Sequence, residues 1–305
     1  MSDLSFQDFA SILAMQGFAG LSLFSVLLLM ALGLAIIYGQ MGVINMAHGE
    51  FMVIGAYTTF WLSSIAASYG LEDYYFFVAI IASFFLAAGF GYFIEWALIR
   101  HLYKRPLDTL LATWGLALIM QQIFRSTFGA REVSPVTPSW LLGSWQPVEG
   151  VDIPLNGLFI MGLTAVVTLA VLVLLFRSRW GLRVRATTQN RLMSNATGIN
   201  TTMVDRLTFA MGCGIAGIAG AAFTTISSTG PTSGGLYIVD TFLVVVFGGA
   251  ASLFGTIVSA FGIAQGQSVL EFFMGGSMAK VITLLVVIAV LMMRPEGLFA
   301  SKIRK

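Results

Sequence analysis

Residues 9–50 read FASILAMQGFAGLSLFSVLLLMALGLAIIYGQMGVINMAHGE. From 9 to 49, 41 positions pass without one Asp, Glu, Lys or Arg, and the run closes on Gly39, Gly42, Asn45, His48, Gly49 and Glu50. Roughly 20 apolar residues cross a bilayer, so this stretch is about twice the length of one span. Glycines and a small polar cluster interrupting it suggest irregular backbone at membrane depth, which is tolerated only where protein or a water-filled cavity surrounds it. Such breaks often line a solute path.

The rest of the chain has the same character. Its 305 residues are 57% hydrophobic and only 10% charged, with a mean hydropathy of +0.89, against about 25% charged for an ordinary soluble domain. This composition belongs to an integral membrane protein. Further uncharged runs cover 51–71, 74–94, 109–124, 153–176, 207–239, 241–270 and 281–293. One transmembrane domain spanning 1–305 is the economical reading. A single cysteine, Cys213, excludes a disulfide framework or a cysteine metal site within the chain and reads as a small packing residue. The first basic residue is Arg100. The amino terminus therefore lacks the positive region of a secretory signal, and its first apolar run is expected to remain in the mature protein.

Thirteen of the sixteen Lys and Arg fall in 100–105, 177–206 and 294–305. By the positive-inside rule these three stretches, including the carboxyl terminus, are cytoplasmic. Acids dominate the loops left for the other side: Asp3, Asp8, Glu72, Asp73, Glu132, Glu149 and Asp152. Parity then tests the count. Two spans, near 108–126 and 155–176, separate the first two basic stretches. Between Arg206 and Arg294 only three apolar runs are visible, so one must be split, and Gly248-Gly249 is the place. The expectation is an all-α polytopic protein of about eight transmembrane helices plus a re-entrant half-helix near 237–247, followed by spans near 252–273 and 277–293. The glycine breaks of the two halves, Gly39 and Gly42 in one and Gly248 and Gly249 in the other, correspond. Paired breaks of this kind point to a transporter site near mid-membrane; close helix packing is the alternative. Gly214, Gly217 and Gly220 recur every third residue and read as a packing stripe. The 125–155 segment, with four prolines, Trp140 and Trp145, reads as an extended external loop with aromatic anchors.

Glu50 lies between two uncharged runs, where a helix-central carboxylate costs about 2.5–3.5 kcal/mol on insertion scales. It needs a partner, water or a proton. With Asn45 and His48 across the break, a polar pocket would satisfy all three and line a passage; alternatively the cluster ends a helix at the cytoplasmic interface. Asp240 is expected to cap the half-helix, Glu271 to reach Lys280, and Glu95 to pair with an Arg at the interface. In 185–198, Thr187 or Thr188 as N-cap and Gly198 as C′ residue outline a short amphipathic helix, with a solvated basic loop as the alternative. Two histidines in all, and no H-E-x-x-H, G-x-S-x-G or G-x-x-x-x-G-K-[ST] pattern, argue against an enzyme. Any energy source must be another subunit. No cofactor, metal or nucleic acid is expected.

The segment Tyr38-Gly-Gln-Met-Gly-Val-Ile-Asn-Met-Ala-His-Gly-Glu-Phe-Met-Val-Ile-Gly-Ala-Tyr57 resembles the signature of the branched-chain amino acid and urea permeases of bacterial ABC importers. Residues 105–115, 185–191, 239–249 and 294–299 resemble the urea branch. This resemblance implies an inner-membrane permease that works with a second related permease, two ABC ATPase subunits and a periplasmic solute-binding protein. It implies a translocation pathway at Asn45, His48, Glu50 and Tyr57, and an ATPase-coupling element carrying Arg185, Thr188, Gln189, Asn190, Arg191, Met193 and Gly198. Urea passing by alternating access is the expected solute. Rival readings are the same machine carrying branched-chain amino acids, a stand-alone urea channel, and a purely structural membrane scaffold.

Overall fold

A computed structural model describes residues 6–103, 105–148, 151–249, 252–294 and 296–299. The described chain is built from helices α1 (Phe6–Met41), α2 (His48–Tyr69), α3 (Tyr75–Ala97), α4 (Pro106–Phe128), α5 (Leu155–Arg177), α6 (Arg179–Gln189), α7 (Arg191–Ala196), α8 (Thr201–Phe223), α9 (Ser233–Gly248), α10 (Leu253–Met274) and α11 (Gly276–Met293). Eight of these are long and apolar enough to cross a membrane, and α9, at 16 residues, is a shorter apolar helix. This is a polytopic all-α membrane protein.

Burial sorts the helices into layers. In the most apolar window of α1 and of α8, 78% of residues are buried, against 22% in α5 and 11% in α11. The first two are the centre of the bundle. The outer faces of α5 and α11 present Val166, Leu169, Leu285 and Val286 to the surroundings, as helices bathed in lipid do. Water drives no helices together inside a bilayer, so close backbone approach must hold the bundle, and small residues allow it. The 214–220 stripe does this. Gly214 lies against Phe84, and Gly217 against Ser83 and Ala87 of α3 and against Gly55 of α2. Gly220 lies against Met52 and Ala56 of α2, and a Cβ at any of these glycines would overlap its neighbour. Cys213 is buried against Gly91, a packing residue as expected.

Contacts between helices give their directions. Glu95 meets Arg206, Gly91 meets Cys213 and Ala87 meets Gly217, so α3 and α8 run antiparallel. Gly20 meets Gln265 and Gln16 meets Ser268, so α1 and α10 do likewise. One end of the bundle consequently collects Arg100, Arg105, Arg177, Arg179, Arg183, Arg191 and Arg206. At the opposite end Asp73 binds Ser139, and Val133 pairs with Thr229. The charge sorting seen along the chain is therefore a sorting in space.

The two glycine breaks are present, with one difference. Gly39 stays inside α1; the chain leaves the helix at Gly42, whose φ of +63° an L side chain rarely adopts. In the second break α9 ends at Gly248, Gly249 has φ +96° and its N–H reaches Val246 O, and Gly248 packs on Gly255 of α10. The half-helix starts at Ser233, earlier than expected, so Asp240 lies in its interior and caps nothing. Asp240, not Glu271, is the partner of Lys280, at 3.7 Å. Glu271 instead accepts from Gln267 Nε2 at 3.0 Å, one turn away on its own helix. Glu95 pairs with Arg206 of α8 at 2.8 Å and is fully buried. The 125–155 segment is not wholly extended loop: among its described residues Ser144–Val148 pairs antiparallel with Val151–Pro154. Trp140 donates to Asp73 O at 2.8 Å and stacks on Phe77, fastening the loop to α3. Trp145 stands exposed.

Candidate functional site

After Gly42 the chain does not continue away from the bundle. His48, the first residue of α2, places Nε2 3.2 Å from Met30 O, eleven residues back along α1 from its end at Met41. At 1.5 Å per residue that is a return of about 16 Å beside α1. Residues 42–47 are thus non-helical backbone running back toward mid-bundle. Asn45 Oδ1 accepts from Ala47 N (3.1 Å), closing the turn that starts α2, and Met46 N is taken by Thr113 Oγ1 of α4 at 3.1 Å. Small residues make this approach feasible. Gly33 lies against Gly212 and the His48 ring, and Gly49 lies against Gly234 at the start of α9.

From this start the side chains diverge. His48 faces α1, whereas Glu50 faces α4, accepting from Gln121 Nε2 at 2.8 Å. Tyr57, seven residues beyond Glu50 and on the same face of α2, stacks on Phe128 with ring centroids 4.2 Å apart and leans on Phe124. Asn45, His48 and Glu50 are therefore neighbours without forming the single shared pocket that the sequence allows for. All three are at most 1% exposed. Nor do they end a helix at the basic interface, because the turn holding them lies deep beside α1. Four of the cluster's polar atoms, Asn45 Nδ2, His48 Nδ1, Glu50 Oε2 and Tyr57 Oη, are buried without a hydrogen-bond partner among the described residues. Buried polar groups are normally satisfied, and each exception asks for an explanation. Gln121 and Thr113, the α4 partners of this turn, were not singled out by sequence. The only signal was the Gln121-Gln122 pair inside an otherwise apolar run.

At the basic end, 178–200 forms two helices joined by a sharp turn. Ser178 caps α6, accepting from Gly181 N at 3.0 Å. The N-cap of α7 is Asn190, which accepts from Met193 N at 2.9 Å, and neither Thr187 nor Thr188. Those threonines lie within α6 and donate back to Arg183 O and Val184 O, a bond available only inside a helix. Gly198, φ +86°, closes α7 as expected. Arg185 and Thr188 turn inward, lining a cavity of about 580 Å³ with Gln40, Phe254 and Gln189. The outward tip is Leu192, 84% exposed, with Met193 and Arg191 beside it.

Arg191 connects this tip to the interior. It pairs with Asp205 of α8, whose other oxygen accepts from Gln40 Nε2 of α1 at 3.1 Å. Gln40 is two residues before Gly42. Arg191 also lies over the Tyr103 ring at 5.5 Å; Tyr103 donates to Glu95, which holds Arg206. Burial, and then the bond to Glu95, push the Tyr103 hydroxyl far above its ordinary pKa, so it stays a donor. One polar chain thus runs from the exposed elbow to the last turn before the break.

The family described as branched-chain amino acid transport system, permease component, matches residues 17–291. The high-affinity branched-chain amino acid transport system permease protein LivH of Salmonella typhimurium is 27% identical over 290 residues, covering 93% of this chain and 94% of LivH. BraD of Pseudomonas aeruginosa, of the same description, is 28% identical over 288 residues, covering 92% and 93%. A probable LivH of Methanocaldococcus jannaschii is 24% identical over 292 residues, covering 90% and 88%. No solved structure matches. Through a match that takes in both glycine breaks and all but the ends of the chain, this protein belongs to the family of branched-chain amino acid transport permease components.

Proposed function

We propose that the chain is a membrane-spanning permease subunit of an ATP-driven importer in a bacterial inner membrane, with its basic end and carboxyl terminus cytoplasmic. It works beside a second related permease, two ATPase subunits and a periplasmic binding protein. The observation that carries this reading is the polar turn at 42–50: four unpartnered polar atoms on a non-helical segment deep in the bundle, in a member of a permease family. A solute path supplies those atoms with intermittent partners. The buried state of the cluster is then the closed one, and the α6–α7 elbow is the contact for an ATPase.

A branched-chain amino acid is the better-supported solute, since that is what the relatives' names state. Urea is the second reading. It is favoured by the resemblance of residues 105–115, 185–191, 239–249 and 294–299 to the urea branch, and by amide and hydroxyl groups at the turn rather than a fixed cation. Uptake of radiolabelled leucine and urea by proteoliposomes holding the assembled transporter decides between them. Leucine import that urea does not inhibit supports the first reading; urea import that leucine does not inhibit supports the second. Flux without ATP would instead mean a channel.

A further inference from the structure

Lys280, the fifth residue of α11, is a cation within an apolar helix, and such residues ask for both a partner and a purpose. Its ammonium lies 3.7 Å from Asp240 of α9 and 5.3 Å from the centre of the Tyr237 ring. With Glu271, Gln267 and Ser268 of α10 and Gln16 of α1, the pair encloses a cavity of about 250 Å³ toward the acidic end of the bundle. Beside this pair a second carboxylate, Glu271, faces the same space with no cation within 4.0 Å among the described residues.

The geometry points to a small-molecule subsite for a zwitterionic α-amino acid, distinct from the turn at 42–50. The chemistry divides by wall. Glu271 and Asp240 offer oxygens to an ammonium group. Lys280 has three N–H donors and a loose contact to Asp240, which leaves donors for a carboxylate. Ala19 and Leu23 of α1 and the Tyr237 ring supply an apolar side suited to a short aliphatic side chain. The volume lies below the roughly 300–1,000 Å³ of drug-sized pockets, as a free amino acid requires. Lys280 is the more exposed member of the pair, 43% along its side chain against 21% for Asp240. This inference rests on the amino-acid reading of the transported solute.

The test is equilibrium binding to the assembled transporter in nanodiscs, without ATP or binding protein, using leucine, leucinamide (ammonium without carboxylate) and 4-methylpentanoate (carboxylate without ammonium). Lys280→Met should weaken leucine at least tenfold and leave leucinamide within twofold; Glu271→Gln should weaken leucine and leucinamide together. Leucine affinity unchanged within twofold in both variants would overturn the subsite. Should either variant fail to assemble, Ser268→Cys in a Cys213→Ala background replaces it. Leucine, but not 4-methylpentanoate, should then slow its labelling by a methanethiosulfonate, and labelling unaffected by leucine overturns the subsite. Leucine import by the unaltered transporter with no such protection sinks the subsite alone. Loss of both sinks the amino-acid reading with it.

Discussion

Asp205→Asn tests the proposal that the α6–α7 elbow is coupled to the break at Gly42 through the polar chain between them. The Asp205 side chain is 1% exposed and is shared between Arg191 of α7 and Gln40 of α1. Asparagine keeps the shape and the acceptor for Gln40 but removes the charge that Arg191 meets. A hydrogen bond involving an ionised group contributes about 1.5–3 kcal/mol and a neutral one about 0.5–1.5, so the substitution weakens this link by about 1 kcal/mol, or about fivefold in the equilibrium it biases. Arg191 is 41% exposed and can turn to water, which keeps the loss near that lower figure instead of the larger penalty of stranding a buried charge. In proteoliposomes assayed for solute uptake and phosphate release together, ATP hydrolysed per solute imported should rise about fivefold, with the amount of assembled complex unchanged. An unaltered ratio, with both rates normal or both lowered in step, would refute the reasoning.

Other outcomes follow from the same contacts. Gly217→Leu forces a side chain into Ser83 O and the Ala87 methyl, 2.5 and 2.7 Å from where its Cβ would sit. Overpacking costs about 1–3 kcal/mol where neighbours can yield, and backbone cannot, so folded protein should be lost in a detergent thermal scan; a wild-type melting profile would contradict the packing. Glu50→Gln should retain the bond to Gln121 and most uptake, while Glu50→Ala leaves Gln121 unsatisfied and should lower uptake at least tenfold at equal complex abundance; equal uptake by the two variants would count against Glu50 as a pathway group. At the acidic end, bonds from Ser139 hold the Asp73 carboxyl below its usual pKa. A depressed folded-state pKa gives stability that is present above the unfolded value, about 3.9, and is lost as pH falls through the lower folded value. Protection from hydrogen exchange at Ser139–Leu141, taken relative to the intrinsic rate at each pH, should accordingly fall below about pH 4, and Asp73→Asn should remove that dependence.

Much of the architecture was legible because membrane insertion writes itself into charge spacing. The uncharged runs became α1 to α5 and α8 to α11, and the parity argument, which took the carboxyl terminus as cytoplasmic, looked for a further element before Gly248, where the short helix α9 lies. Gly42 was readable as a break because glycine admits the positive φ with which many helices end, and Gly42 takes it. Gly39, with no such demand on it, remained helical. Contacts between helices were not readable. Glu50 meets Gln121, 71 positions away, and Asp205 meets Gln40, 165 positions away. Such pairs depend on helix crossing angles, which periodicity does not encode. The N-cap of α7 was misplaced for a local reason, since Thr187, Thr188 and Asn190 are all competent caps and only the backbone turn at Asn190 selects among them. Asp240 was misplaced because the half-helix begins earlier than its apolar core suggests.

The most direct measurement is the solvent accessibility of position 45 during the transport cycle. With Cys213 replaced by Ala and Asn45 by Cys, a charged methanethiosulfonate should label the assembled transporter in one nucleotide state and not in another, because a path that opens by turns wets this residue only part of the time. Position 45 sealed in every state, while the same preparation imports its solute at the normal rate, would show that the solute travels elsewhere.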